Sequence, residues 1–149
     1  MRVERSKPVS RLPRSARNDK KKMQDNFSII NETKGRLPSL PFEKIKNKIL
    51  GRKYELDLVF VSDKKIHALN KTYRKVDKPT DILSFPIDKN HGEIFICEKI
   101  AKKKAEDFER GFENFIAFLF IHGNVHLLGY DHGNKMEVIE TKFRKLFKI

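Results

Sequence analysis

Three histidines in the last third of the chain have the spacing of a metal site. His122 and His126 are four residues apart, so on a helix both imidazoles lie on one face, one turn from each other. His132 follows six residues later, and six residues turn a straight helix about 240° past the starting face. The chain must therefore reverse before His132. We expect the reversal at Gly129, where a left-handed cap would end the helix.

Three neutral imidazoles form a ligand set that suits Zn²⁺ and leaves a fourth position open for water. An open zinc site lowers the pKa of the bound water to roughly 7, which makes hydroxide available at neutral pH. Asp131 is a candidate hydrogen-bond partner for one of these imidazoles. His67 and His91 lack this context, and we place His67 on the polar side of a helix and His91 in a turn.

The residue after the first histidine excludes one class of zinc enzyme. Metalloproteases with the pattern His-Glu-x-x-His carry a glutamate general base at that position, where this chain has Gly123. A peptidase that uses this base is therefore excluded. A peptidase or amidase with a different base is one alternative function, but the sequence does not direct Glu93 or another carboxylate at the histidines.

The elements that must position these histidines follow from hydrophobic periodicity and capping residues. The predicted strands cover residues 27–33, 54–61, 82–86 and 93–97. The predicted helices cover residues 42–50, 62 to about 74, 98–108, about 114–128 and about 135–147. This order predicts an α+β fold in a single domain, a four-stranded mixed sheet covered by helices. The metal site would then lie on a long helix and the turn after it.

The charge of the chain is basic and unevenly distributed. The net charge is +13, and residues 1–22 contain nine Lys or Arg against two acidic residues. A basic balance fits a polyanionic partner such as RNA or a ribosome surface, and it fits a Lys-rich proteome equally well. Residues 1–26 lack hydrophobic periodicity, so we predict a disordered basic tail there and a folded domain at 27–149. Three interpretations of the tail stay open: an RNA-contacting arm, a segment upstream of a start near Met23, or a dispensable terminus.

The sequence also indicates a compartment. A single cysteine, Cys97, allows no internal disulfide, and the longest apolar run, residues 115–121, is too short to span a bilayer. No apolar segment of a secretory signal follows the basic start, although an Arg- and Ser-rich start is also typical of organellar transit peptides. We predict a cytoplasmic protein that does not contact a membrane.

The histidine segment resembles the signature of the YbeY endoribonuclease family, the rRNA maturation factors. That segment reads His-Gly-Asn-Val-His-Leu-Leu-Gly-Tyr-Asp-His at 122–132, and other blocks agree with the family. The agreeing blocks are Leu69-Asn70 with Tyr73-Arg74, Pro-Thr-Asp-Ile-Leu-Ser-Phe-Pro at 79–86, Gly-Glu-Ile-Phe-Ile at 92–96, and Met136-Glu137 with Glu140. The resemblance covers roughly residues 27–147 and leaves the basic tail outside. Where the family usually has Asp after the glycine, this chain has Glu93.

The resemblance implies a single-domain α+β fold, one zinc ion at the three histidines and single-strand-specific endoribonuclease activity. It also implies maturation of the 3′ end of small-subunit rRNA and a role in ribosome quality control. The partners would then be RNA and the ribosome or its small subunit, with no DNA. The resemblance further implies that Arg74 lies beside the metal cleft, where a guanidinium can bind phosphate and stabilise transition-state charge. Without the resemblance, Arg74 is interpreted as a solvated residue at a helix end.

Several alternatives stay open on sequence alone. The protein could be a non-catalytic ribosome-assembly factor whose structural zinc needs a fourth ligand, and Cys97 is the cysteine available, although its predicted strand favours a core position. For a nuclease, either water or the RNA 2′-hydroxyl can be the nucleophile. Thr80 and Ser84 either bind phosphate at the cleft or are ordinary turn and strand hydroxyls.

Overall fold

The computed structural model describes residues 26–149, so the predicted tail lies outside the described residues except for Asn26. Every element predicted within this range is present, and the ends differ by a few residues. The elements in chain order are β1 (Phe27–Asn31), α1 (Phe42–Leu50), β2 (Glu55–Phe60), α2 (Asp63–Arg74), β3 (Ile82–Asp88), β4 (His91–Ile96), α3 (Glu98–Asp107), α4 (Phe112–Leu127) and α5 (Asn134–Phe147). As the sequence predicts, Ser62 caps α2, and its Oγ accepts a hydrogen bond from the Lys65 amide at 3.1 Å.

The four strands form one mixed sheet in the order β1-β2-β4-β3. β1 and β2 pair in parallel, as do β2 and β4, whereas β3 and β4 form an antiparallel hairpin. The parallel pairs are joined by crossovers that contain α1 and α2, as parallel pairing requires. The described chain is therefore a single α+β domain, which confirms the predicted fold class.

The two faces of the sheet carry separate apolar clusters, because successive strand residues point to opposite faces. Leu56, Leu58 and Phe60 of β2 join the larger cluster with α1, α3, α4 and α5. Val59 joins the smaller cluster on the other face, which is covered by α2 and includes Cys97. Cys97 is fully buried there, so it is the core residue that the strand pattern favours.

Helix α4 lies at the centre of the larger cluster and packs against α1, α3, α5 and the sheet. Its residues are apolar on nearly every side, as expected of a buried helix. Among residues 26–149, no helix is long and apolar enough to cross a lipid bilayer. Because α4 is buried in the core, its polar side chains need partners supplied by the protein or by a ligand.

Gly123 sets how closely α4 approaches the sheet. A Cβ at this position would lie 2.9 Å from Ser84 Oγ and 3.0 Å from the Cδ1 atoms of Ile82 and Ile94. A side chain here would force these buried side chains, or α4 itself, to shift. Gly123 thus faces the sheet and has a packing role at the position where a metalloprotease would carry its base.

Candidate metal centre and adjoining cleft

The three histidines converge as their spacing predicts. The ring centroids of His122 and His126, at the end of α4, are 4.6 Å apart, and the ring of His132 lies 5.3 and 5.0 Å from them. One ring nitrogen from each residue lies within 4.8 Å of the other two. Three ring nitrogens this close together could hold one metal ion between them.

The reversal of the chain after α4 places His132 beside the helix from which it departs. The Gly129 amide donates to the His126 carbonyl at 2.9 Å, and Gly129 has a φ of 110°. A positive φ is readily adopted by glycine and costs other residues energy. The break that the sequence predicts at Gly129 is therefore confirmed, and it returns His132 to the face of α4 that carries His122 and His126.

His126 is fully buried and holds one nitrogen ready for a metal. Its Nδ1 lies 2.9 Å from the Tyr130 carbonyl oxygen, which can only accept, so Nδ1 carries the proton and Nε2 has the lone pair. That Nε2 is buried and has no hydrogen-bond partner among the described residues. Burial, helped by the neighbouring His122, lowers the pKa of His126 to about 4, so the ring is in the neutral, metal-binding form at neutral pH.

His122 is oriented by a carboxylate from α5. Its Nδ1 lies 2.7 Å from Oε2 of Glu140, which is itself buried, so Nδ1–H donates and Nε2 is available as a ligand. The other carboxylate oxygen of Glu140 accepts from Arg144 at 3.1 Å. A carboxylate behind a ligand histidine fixes the tautomer and raises the basicity of the ligand nitrogen.

The prediction that Asp131 is the partner of a ligand imidazole is wrong for His122 and His126. Asp131 is exposed, and the groups that hydrogen bond to these two rings are Glu140 and the Tyr130 carbonyl. The sequence singled out Glu140 only as part of the block Met136-Glu137 with Glu140 that agrees with the family. Its i,i+4 spacing to Arg144 was the available signal, since this spacing indicates a paired and therefore ordered carboxylate.

The donor set fits a divalent metal such as zinc. The hydrogen bonds of His122 and His126 define the tautomers of two of the three rings. A metal ion would bind the buried lone pair of His126 Nε2. Leaving this acceptor buried without a partner costs about 1–3 kcal/mol. Among the described residues, the candidate metal group contains three histidines and no fourth ligand. Cys97 lies on the opposite face of the sheet and cannot close the site. The arrangement is that of a site with one open position.

A cleft of about 520 Å³ adjoins the histidines and mixes basic and acidic side chains. His122 and His132 form part of its wall. The charged residues that line it are Arg74, Lys104, Arg144, Asp81, Glu137 and Glu140. Arg74, the last residue of α2, is half-buried and lines the same cleft as His122 and His132. A guanidinium in this position can bind an anionic group that is held at the metal centre.

The two hydroxyl residues differ in their relation to the cleft. Thr80 lines it, and its Oγ1 donates to Asp81 at 3.2 Å. Ser84 is buried between β3 and α4, and its Oγ donates to the Gly123 carbonyl at 3.4 Å. Ser84 is therefore a strand hydroxyl that packs against α4, and the interpretation that it binds phosphate is wrong.

The remaining sequence candidates lie away from the histidines. Glu93 is buried on the sheet face opposite α4, next to Asp57 in the register of β2 and β4. His67 is exposed on α2 and lies 2.7 Å from Asp77, as expected. His91, which we placed in a turn, is the first residue of β4 and is half-buried against Asp57. The strand extends through His91 because it pairs with Glu55 of β2.

The sequence matches the family model described as Endoribonuclease YbeY over residues 16–147, a range that includes the three histidines and Arg74. This chain belongs to the YbeY endoribonuclease family. The YbeY match begins at residue 16, whereas the motifs alone predict that the resemblance begins near residue 27. The predicted basic tail is therefore partly inside the family match.

Individual YbeY proteins align over most of the domain. Endoribonuclease YbeY of Acholeplasma laidlawii is 38% identical over 124 residues, which are 80% of this chain and 82% of that protein. Endoribonuclease YbeY of Aquifex aeolicus is 43% identical over 98 residues, 62% of this chain and 65% of the other. The solution structure of TM1509 from Thermotoga maritima superimposes with a TM-score of 0.58 at 30% identity, covering 78% of this chain and 85% of that one.

Proposed function

We propose that this YbeY family protein cleaves phosphodiester bonds of single-stranded RNA at a zinc ion held by His122, His126 and His132. The observation that supports it most strongly is the buried His126 Nε2, which has no hydrogen-bond partner among the described residues and belongs to the three-histidine group. A zinc ion with an open position supplies a Lewis acid and lowers the pKa of bound water to about 7.

The chain's own residues orient the ligands. Glu140 accepts the Nδ1–H of His122, and the Tyr130 carbonyl accepts the Nδ1–H of His126. Each acceptor holds its ring with Nε2 directed at the metal position and makes that nitrogen a better electron donor. The ligand geometry is therefore set before the substrate binds.

Arg74 is the group we assign to the phosphate. Its guanidinium would bind the non-bridging oxygens of the scissile phosphate and stabilise the charge that accumulates in the transition state. Lys104 adds a second cation to the same cleft, where it pairs with Asp81 at 3.5 Å. Either water or the RNA 2′-hydroxyl can attack a phosphate held in this way.

We further propose that the substrate is ribosomal RNA, at the 3′ end of the small-subunit rRNA, and that the protein acts in ribosome quality control in the cytoplasm. Support comes from the endoribonuclease family and from the net charge of +13, which favours binding to a polyanion such as the small subunit. Cells depleted of the protein would accumulate small-subunit rRNA with an extended 3′ end.

The direct test is cleavage of a single-stranded RNA by the zinc-loaded protein, with and without a chelator. We expect chelator-sensitive cleavage, and a decrease in kcat of about 10²–10³-fold in Arg74→Ala with the zinc content unchanged. Lys71→Ala is the matched control, because Lys71 is an exposed cation on α2 that pairs with Asp77. A protein that carries one zinc and cleaves no RNA, alone or with the small subunit, would contradict the proposal and support an assembly factor without catalysis.

A further inference from the structure

An aromatic cluster forms part of the cleft next to the histidines. Phe108, Phe115 and Phe118 all line it. The ring centroids of Phe115 and Phe118 are 5.7 Å apart and nearly parallel, and Phe108 lies 5.2 and 6.0 Å from them. Phe115 is buried, whereas Phe108 is 54% exposed. The cluster therefore presents an aromatic surface to the cleft.

Two arginines flank this surface. The Cζ atom of Arg110 lies 4.5 Å from the Phe118 ring centroid, and the Cζ atom of Arg144 lies 5.1 Å from the same centroid. Both distances are typical of cation–π contacts. Arg144 is held by Glu140 and Thr141, each at 3.1 Å. The cluster thus combines one exposed ring, Phe108, with two guanidinium groups that lie over Phe118.

The aromatic cluster and the metal centre are connected through α4 and Glu140. Phe118 and His122 are four residues apart on α4, one turn or about 6 Å along the helix axis. Glu140 contacts both His122 and Arg144. An RNA strand whose phosphate lies at the histidines can therefore reach the aromatic rings with the base of an adjacent nucleotide.

We propose that the exposed ring of Phe108, supported by Phe118 and flanked by Arg110 and Arg144, forms a subsite on which a nucleobase of single-stranded RNA stacks beside the phosphate bound at the histidines. This proposal rests on the proposed function and deepens it. Aromatic side chains bind unpaired bases through their faces, and every base has such a face. The subsite therefore accepts many sequences and discriminates against duplexes, in which the faces are already stacked.

The charges of the subsite fit an RNA backbone. Burial, together with the charge of Arg144, lowers the pKa of Arg110, so two guanidinium groups repel each other at this position. Both remain charged at neutral pH, because arginine does not lose its proton in proteins. A phosphate between or beside them would relieve the repulsion while the base of the same nucleotide stacks on the rings.

The test uses the zinc-loaded protein and a single-stranded 2′-O-methyl RNA in which one base is replaced by 2-aminopurine. The RNA has about ten nucleotides, a length within the range that single-strand-binding sites cover. The fluorescence of 2-aminopurine falls when it stacks on an aromatic ring. We expect this decrease with the wild type and with Phe108→Tyr. Phe108→Leu keeps the apolar contact with Phe115 and removes the stacking surface, so the decrease should be lost and the affinity should fall by about fivefold or more.

Leu146→Ala is the matched control. Leu146 is 51% exposed on α5, so its truncation tests whether the loss of any exposed apolar side chain weakens binding. Unfolding midpoints of all variants show that each is folded. A Phe108→Leu variant that binds as tightly as the wild type, with the same fluorescence decrease, would overturn the proposal and indicate that Phe108 contacts something other than RNA.

Salt dependence separates stacking from charge. Arg110→Gln should reduce the slope of log K against log salt by about 0.7 for each lost phosphate contact, whereas Phe108→Leu should leave the slope unchanged. Failure of the proposed function looks different, because a wild-type protein that binds and quenches but never cleaves would contradict the nuclease and support the subsite. Chelator-sensitive cleavage with an unchanged KM in Phe108→Leu would contradict the subsite and support the nuclease.

Discussion

The Nδ1 atom of His122 lies 2.7 Å from Oε2 of Glu140, a residue on the next helix, α5. The same carboxylate binds Arg144 through its other oxygen. Glu140 therefore joins a candidate metal ligand to the charged wall of the cleft. Any change in the packing of α5 on α4 would be transmitted to the ligand through this contact.

Replacing Glu140 by glutamine tests the importance of this carboxylate for metal binding. Glu140→Gln keeps the size of the side chain and removes the charge that supports His122, so we expect zinc affinity to fall by about 10- to 100-fold. Competition with a chromogenic chelator measures the affinity. Glu137→Gln is the control, since Glu137 is an exposed carboxylate of the same helix and cleft. Equal affinities in the two variants would contradict the role of Glu140.

Removing His126 tests the ligand assignment. We expect His126→Ala to lose bound zinc and RNA cleavage together, because the variant lacks the nitrogen that lies deepest in the site. Metal analysis of the purified protein and a cleavage assay give the two readouts. His67→Ala, which removes an exposed histidine paired with Asp77, should keep both properties. Stoichiometric zinc with full activity in His126→Ala would show that the ion is bound elsewhere.

Enlarging Gly123 tests the close packing of α4 on the sheet. Gly123→Val would place a Cβ 2.9 Å from Ser84 Oγ and 3.0 Å from the Cδ1 atoms of Ile82 and Ile94, and overpacking of this kind costs about 1–3 kcal/mol. We expect the free energy of unfolding, measured in denaturant, to decrease by this amount. Gly35→Val is the control, because the nearest atom to a Cβ at Gly35 lies 4.0 Å away. Equal stability of the two variants would argue against the packing role.

The His91–Asp57 pair predicts a pH-dependent contribution to stability. Burial favours neutral His91, but the hydrogen bond and charge of Asp57, with the charges of Glu55 and Glu93, outweigh burial, so the pKa of His91 is raised. A raised pKa in the folded state stabilises the protein below the unfolded value of about 6.5, and this contribution disappears as pH rises through the folded value.

We therefore expect His91→Gln to lower the free energy of unfolding more at about pH 6 than at about pH 8.5. Denaturant titrations at the two pH values measure the difference between the variant and the wild type. Lys89→Gln, which removes an exposed charge from the same hairpin, controls for a general charge effect. A larger loss at the higher pH would mean that the sign of the pKa shift is wrong.

The sequence predicted the parts of the site that depend on local geometry. The spacing of His122 and His126 together with Gly129 was sufficient for the three-histidine cluster, since helical periodicity and a glycine cap are local properties. Hydrophobic periodicity was sufficient for the order of elements and for the mixed α+β fold. The position of Arg74 beside the cleft came from the family resemblance, because helix periodicity alone places this residue in solvent.

Contacts that depend on how helices and strands pack against each other could not be predicted from the sequence. Asp131 was chosen as a partner because it is adjacent to His132, whereas Glu140 reaches His122 only through the packing of α5 on α4. His91 was placed with Gly92 in a polar turn between two strands, whereas pairing with Glu55 extends the strand through it. The exposed ring of Phe108 also gave no signal, since its cleft is assembled from several elements.

The three candidate ligands come from one stretch of eleven residues, 122–132, whereas Arg74, Lys104 and Glu140 come from α2, α3 and α5. The ligand atoms thus belong to one segment of chain, while their support by Glu140 and the recognition of the substrate require the finished fold. We expect a chain that still lacks α5 to bind the ion more weakly, because the support of His122 by Glu140 is missing, and to lack selectivity for its substrate. Mutation of Arg74 or Lys104 can change substrate recognition without changing the ligands, so metal content alone is a poor measure of an active protein.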